Sequence, residues 1–172
     1  MIKNYIDGTH LSTSIETLTV FNPSTGEEIN KVVSSNIDDF NNVINSSKNA
    51  FLKWSNVTPL KRSRILSNFK SILEKNIDEL AKIISMEHGK TIDDAKGSLS
   101  RGIEVVEFAC GIPHLLKGEF SQNVGSDIDS WSIRQPLGVC AGITPCNFPA
   151  MVPMWMFPIA IACGNTFILK PS

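Results

Sequence analysis

Apolar positions recur at helical spacing through the first hundred residues, and beyond residue 137 they merge into a run with almost no polar break. Ile37, Phe40, Val43, Ile44, Phe51 and Trp54 fall on one stripe, which predicts an amphipathic helix from about Ile37 to Trp54. Ser35 with Asp38 three residues later predicts the capping box that opens it. Thr58-Pro59 places a cap before a proline at the first helical position, and Ile65, Leu66, Phe69, Ile72 and Leu73 keep the period of a second helix. Asn76 with Glu79 predicts the start of a third, which stops at Gly89. Thr91 with Asp94 predicts a fourth, continuing to about Cys110 despite Gly97 and Gly102.

The segment before these helices reads as β. Tyr5-Ile6-Asp7-Gly8 carries an Asp-Gly turn signal. A strand near Leu18–Phe21 meets the turn cluster Asn22-Pro23-Ser24-Thr25-Gly26, and Glu28–Val33 returns as a second strand. After Gly118 the chain changes character. Phe120–Trp131 is polar and turn-rich, and Trp131-Ser132-Ile133-Arg134 alternates like an exposed or edge strand. From Leu137 the pattern predicts strand Gly138–Thr144, a helix over about Pro149–Cys163, and strand Thr166–Lys170. The predicted class is therefore α/β. A strand, a crossover helix and a parallel strand put both strand ends on one edge of a sheet, where nucleotide crevices form.

Composition narrows the partners. The formal charge of −1 on 172 residues is well mixed, so no basic patch argues for nucleic acid. No charged residue lies between Arg134 and Lys170, a stretch long enough to raise a membrane-spanning reading. Pro136, Pro145, Pro149, Pro153 and Pro158 interrupt it, with Gly138, Gly142 and Gly164, and a lipid-exposed helix so broken would leave backbone groups unpaired. A buried β-α-β unit accounts for it better. The start, MIKNYIDGTH, lacks a charged-then-apolar leader, so export is not expected. The four cysteines, Cys110, Cys140, Cys146 and Cys163, have neither metal-ligand rhythm nor scaffold density and read as thiols of a reducing cytoplasm.

The candidate chemistry gathers at the two strand ends. Asn147 stands in Thr144-Pro145-Cys146-Asn147-Phe148-Pro149, between two prolines. It reads equally as a helix N-cap or as a side-chain amide aimed at developing negative charge. Lys170 ends the last strand. It reads either as a lysine that snorkels to the surface or as a contact to a cofactor at the ligand-binding edge. Arg101 lies inside the fourth helix, where pairing with Glu104 or Asp94 is the ordinary expectation. Cys146 adjoins the amide but has no histidine near it in sequence, so an inert thiol is expected over a nucleophile. Cys110 and His114 alone do not make a zinc site.

These residues carry a resemblance. The chain resembles the aldehyde dehydrogenase superfamily, and within it the CoA-acylating methylmalonate-semialdehyde dehydrogenases. The likeness rests on Phe21-Asn22-Pro23-Ser24-Thr25-Gly26-Glu27, on Glu87-His88-Gly89-Lys90-Thr91, and on Arg101 through Glu107. It is strongest from Gly138 through Pro158 and on to Lys170-Pro171-Ser172. In that family a thiolate attacks an aldehyde to give a thiohemiacetal and hydride passes to NAD. The resemblance implies that Asn147 donates to the oxyanion and that Lys170 meets the adenosine ribose. Thr144, Pro145 and Cys146 would line the dinucleotide cleft, and Arg101 would grip a substrate carboxylate with its planar fork. The acyl group would pass to coenzyme A with loss of carbon dioxide, giving propionyl-CoA from methylmalonate semialdehyde or acetyl-CoA from malonate semialdehyde. An aldehyde dehydrogenase releasing a free acid, or a non-catalytic remnant, are the alternatives.

The resemblance also implies an organisation. Residues 1–118 would be the N-terminal β and helical part of a coenzyme-binding domain, and 119–136 an oligomerisation arm. Residues 137–172 would form the first β-α-β of the nucleotide sheet, with a homotetramer expected for the full-length enzyme. The position before the amide is usually aromatic in this family and here is Cys146, which thins the apolar wall of the cleft. None of the four cysteines matches the family's nucleophile. The catalytic thiol and the rest of the sheet are expected beyond Ser172, and the 172 residues alone are expected to be inactive.

Overall fold

In the computed structural model, which describes all 172 residues, eight strands form four separate pairs around six helices. β1 (Asn4–Ile6) and β2 (Thr9–Leu11) make a hairpin turned by Asp7 and Gly8, both at positive φ. β3 (Thr17–Phe21) and β4 (Glu28–Val33) pair antiparallel across the Asn22–Gly26 turn. The turn and strand signals in the N-terminal sequence thus match the observed elements.

The helices are α1 (Ile37–Trp54), α2 (Pro59–Lys75), α3 (Ile77–His88), α4 (Ile92–Cys110), a single turn α5 (Ile112–Leu115) and α6 (Met151–Ala162). Three start signals differ from their sequence expectation. α1 is capped by Asn36 with Asp39, not by Ser35 with Asp38, because Asn36 takes the extended conformation and exchanges two bonds with Asp39. Ser35 instead bonds the Asn4 side chain. Asn76 precedes α3 but makes no side-chain cap, since its amide donates to the Ile72 carbonyl at the end of α2. α6 begins at Met151, two residues later than Pro149, and ends at Ala162. The caps at Thr58 and Thr91 form as expected, and Gly89 ends α3 in the left-handed region.

After Gly118, β5 (Phe120–Gly125) and β6 (Ile128–Trp131) form an antiparallel arm. Trp131 ends β6, so the alternation through Arg134 is not a strand: past Ser132 the chain has no partner to pair with. β7 (Val139–Ile143) and β8 (Thr166–Lys170) pair in parallel, from Val139 opposite Thr166 to Ile143 opposite Lys170.

α4 is the axis of the core. Ala95, Ser98, Leu99, Gly102, Ile103, Val106 and Ala109 line its buried face at three- and four-residue steps. Leu99 and Val106 join Ala81 and Ile84 of α3 and Met154 of α6 in one cluster. Leu66, Ala109, Ile112 and Ala162 form a second. Gly102 lets α6 approach closely: a Cβ there would lie 2.3 Å from the Met154 methyl and 3.3 Å from the Met151 Cα. α6 is apolar all round because it packs on α2 and α4 as well as on β7 and β8. It is 12 residues long, and no helix is long and apolar enough to cross a membrane.

Two residues without a sequence signal fix the β-α-β unit. The Asn165 side chain, 5% exposed, accepts from the backbone N–H groups of Leu137 and Gly138 and donates to Ala160, so it anchors the start of β7. The buried Arg62 guanidinium donates to the carbonyls of Ala162 and Val57 and packs against Gly164, which turns at φ +93°. Burial lowers the Arg62 pKa, yet its carbonyl partners satisfy the charge it retains.

Candidate active site

The parallel register sets the site. Ile143 and Lys170 are opposite each other at the last rung, and the next N–H, that of Thr144, donates to the Lys170 carbonyl at 3.2 Å. Thr144, Pro145, Cys146 and Asn147 leave the sheet from that rung, and Lys170 emerges beside them. The Thr144 residue is 4% exposed, and its Oγ1 is buried without a hydrogen-bond partner. Pro145, Cys146, Asn147 and Lys170 are exposed. Lys170 forms no ion pair and ends its strand as a free cation.

Asn147 is not a helix cap. Three residues separate it from Met151, the cap position is Ala150, and no side chain caps α6. The amide is therefore left free at the mouth of the turn, which removes the ordinary explanation for an asparagine there.

Arg101 reaches the same turn from α4. It pairs with neither Glu104 nor Asp94. Its Nε donates to the Met151 sulfur at 3.3 Å and one terminal nitrogen to the Ser98 hydroxyl at 3.4 Å. Its guanidinium carbon lies 5.9 Å from the centre of the Phe148 ring, directly after Asn147 in sequence. Asp94 pairs with Lys90 at 3.1 Å instead. The structure thus gathers Arg101, Asn147 and the Thr144–Cys146 strand end around one turn, with Lys170 on the adjoining strand tip.

The sequence reading missed Lys90 and Ser98 in this neighbourhood. Lys90, whose side chain is 7% exposed, holds its ammonium 4.6 Å from the Phe148 ring centre and 3.5 Å from the Ser98 hydroxyl. Ser98 itself is 2% exposed. Lys90 stands in the Glu87–Thr91 motif, but its role depends on a ring 58 positions later, which no local pattern exposes. Cys146 also has a neighbour unseen in sequence. It lines an apolar cleft of about 590 Å³ with His88, Phe69, Leu73 and Phe157, because α3 folds its last turn under the β7–α6 turn. Burial pushes the Cys110 and Cys163 thiols up, away from the thiolate a nucleophile requires.

The turn thus presents a side-chain amide that caps nothing beside a guanidinium with no carboxylate partner. The unclaimed amide can donate to oxygen, and that guanidinium stands 5.9 Å from the ring centre of Phe148, the next residue. The family model for the aldehyde dehydrogenase family matches residues 10–172. The chain belongs to the aldehyde dehydrogenase family. It is 54% identical over 171 residues to a malonate-semialdehyde dehydrogenase of Pseudomonas aeruginosa, covering 99% of this chain and 34% of that protein. It is 47% identical over 172 residues to an acylating, mitochondrial methylmalonate-semialdehyde dehydrogenase of Arabidopsis thaliana, covering 99% and 28%. A solved structure from Sinorhizobium meliloti, complexed with NAD, superposes with a TM-score of 0.94 at 52% identity, over 97% of this chain and 34% of that one. The chain therefore spans about a third of the length of the family members it matches. The mixed α/β fold of this aldehyde dehydrogenase segment is that of the NAD-complexed structure.

Proposed function

We propose that this chain serves an NAD-dependent, CoA-acylating dehydrogenase that converts malonate or methylmalonate semialdehyde to acetyl-CoA or propionyl-CoA with loss of carbon dioxide. The observation that carries the reading is the convergence of an uncapped Asn147 and an Arg101 free of carboxylate partners on one turn at the β7 tip. In this reading Arg101 holds the substrate carboxylate through charge-assisted bonds. The Asn147 amide then donates to the aldehyde oxygen as charge develops on it, a contribution of about 2.7–4 kcal/mol where such donors act. NAD would bind at the same strand tips. Lys170 is a free cation suited to ribose hydroxyls, and Thr144 carries a buried hydroxyl still lacking a partner. Together with Pro145 and Cys146 it would line the cleft. Bound NAD supplies the hydride acceptor.

The organisation proposed with it takes residues 1–118 and 137–172 as parts of the coenzyme-binding domain. Residues 119–136 are the arm of a cytoplasmic homotetramer. The nucleophilic thiol is none of the four cysteines here, so residues 1–172 alone are expected to form no NADH from semialdehyde, NAD and CoA.

The test uses the full-length polypeptide carrying this sequence. Supplied with malonate semialdehyde, NAD and CoA, it is expected to form acetyl-CoA. Release of free acid in the presence of CoA would replace the acylating reading with a hydrolytic one. Arg101→Leu is expected to raise KM for the semialdehyde by about 10–100-fold, the worth of a hydrogen bond to a charged group. A neutral aldehyde of similar length should be unaffected. An equal loss on both aldehydes would remove Arg101 from carboxylate recognition.

A further inference from the structure

We propose that Lys90 is a positioning residue for Asn147, acting through the ring of Phe148. The proposal rests on the role given to Asn147 above. A lysine side chain that is 7% exposed is desolvated and must be compensated. Three partners compensate this one: the Asp94 carboxylate at 3.1 Å, the Ser98 hydroxyl at 3.5 Å, and the Phe148 ring with its centre 4.6 Å from the ammonium. Asp94 lies on the first turn of α4, next to the helix's own cap at Thr91, and Ser98 is buried one turn further on. The ammonium is therefore fixed to a rigid helix, and the ring is fixed to the ammonium.

The turn needs that anchor. Residues 144–150 make no side-chain hydrogen bond, the Thr144 hydroxyl is unpartnered, and α6 begins without a cap. Phe148 enters the backbone bonding of α6 only through its carbonyl, which accepts from Val152 at 3.3 Å. Its ring, on the residue directly after Asn147, is held by a charged group. Arg101 stands at 5.9 Å from the same ring centre and shares the Ser98 hydroxyl with Lys90. One aromatic ring and one hydroxyl thus set the amide and the carboxylate-binding cation relative to each other, and Lys90 is the cation that holds both. A ring face attracts a desolvated ammonium more strongly than an exposed one, so the contact is worth more here than on a surface.

The test uses the full-length polypeptide and two readouts. In Lys90→Met, amide hydrogen exchange of Val152 and Met154, which bond the Phe148 and Ala150 carbonyls of the turn, is expected to speed up by about 30-fold, the factor a desolvated cation–π contact is worth. Exchange in β7 and the interior of α4 should stay unchanged. Lys90→Arg, which keeps a cation, should keep the protection, and Phe148→Leu, which keeps bulk without a π face, should lose it. In turnover, Lys90→Met is expected to lower kcat about tenfold with KM for the semialdehyde nearly unchanged, and to add nothing in an Asn147→Ala background. Unaltered exchange at Val152 and Met154 overturns the proposal, as does a Lys90→Met effect that multiplies with Asn147→Ala. If the parent polypeptide lacks semialdehyde activity, the functional reading falls, and the exchange readout alone decides whether Lys90 positions the turn.

Discussion

Two strand pairs of this chain have the same number of strands and opposite surroundings. β7 and β8 are paired in parallel, covered by α6 and touched from the other side by α1. β5 and β6 are paired antiparallel, and every residue of β6 is exposed. Phe120, Val124, Ile128 and Trp131 stand as far out as the polar residues between them. A strand pair gains its stability from what packs on its faces, not from its ladder alone. The region bearing the candidate site is held by packing, and the arm by its backbone bonds.

The largest effect that can break this contrast comes from the packed side. Leu99 is 1% exposed and joins α4 to α3 and α6. Leu99→Ala is expected to cost about 2–5 kcal/mol in urea unfolding, transfer and cavity terms together. A loss below ~1 kcal/mol would mean that the helices bearing the site are loosely packed.

Asn147→Ala separates packing from chemistry within that region. Its side chain is exposed and caps nothing, so the unfolding midpoint should not move. In the full-length enzyme kcat should fall about 10²–10³-fold with little change in KM, because an oxyanion donor acts in the transition state. A drop in stability without a drop in kcat would make it a structural residue.

The N-terminal β region is held differently again, by charge. Asp39 lies 2% exposed and accepts from the Thr13 N–H at 2.7 Å and from the Ser12 hydroxyl at 2.9 Å while closing the α1 cap. The backbone bond from Thr13, with smaller help from Ser12 and Asn36, holds its carboxyl below the usual carboxylate range. The unfolded chain therefore takes up the proton first as pH falls. The stability this carboxylate contributes is complete above about pH 4 and disappears as pH drops through the folded value. The exchange protection of residues 9–16, measured against free amides at the same pH, should fall below about pH 4, ahead of residues 139–170, where no carboxylate plays that part. Asp39→Asn should remove the pH dependence.

The sequence is most legible where local rules act alone. Pro59 after Thr58, Gly89 after α3 and Asp7-Gly8 in the first hairpin each need only their own backbone to be read. The β-α-β unit was legible too, because a charge-free run broken by prolines has few soluble solutions. Side-chain competition was not. Ser35 and Asn36 are both good caps, and what decided between them was Asn4, which occupies Ser35 from 31 residues away. Asn76 could cap α3 or close α2, and the Ile72 carbonyl took it. At the site, the strand-tip residues Asn147 and Lys170 followed from topology. Lys90, Ser98 and Phe148 meet only through the packing of α4 on α6, which Gly102 permits and no periodicity announces.

The smallest effect tests the arm. Trp131 is 67% exposed and faces Phe120, itself 65% exposed, across the first rung of the hairpin. The base of the arm is held by one backbone bond and one to a side chain: the Ser132 N–H donates to the Glu119 carbonyl at 2.9 Å, and the Glu119 N–H to the Ser132 hydroxyl at 3.0 Å. In dilute protein Trp131→Ser should change stability by no more than about 0.5 kcal/mol, since the indole gives up no covered surface. Gly118 supplies the control, because a Cβ there would fall 1.7 Å from the Ser132 carbonyl oxygen. Gly118→Ala should therefore expose the arm amides to exchange while Trp131→Ser leaves them protected. A cost for Trp131→Ser that grows with protein concentration would break the contrast, by showing that a second copy covers the arm and that it too is held by packing.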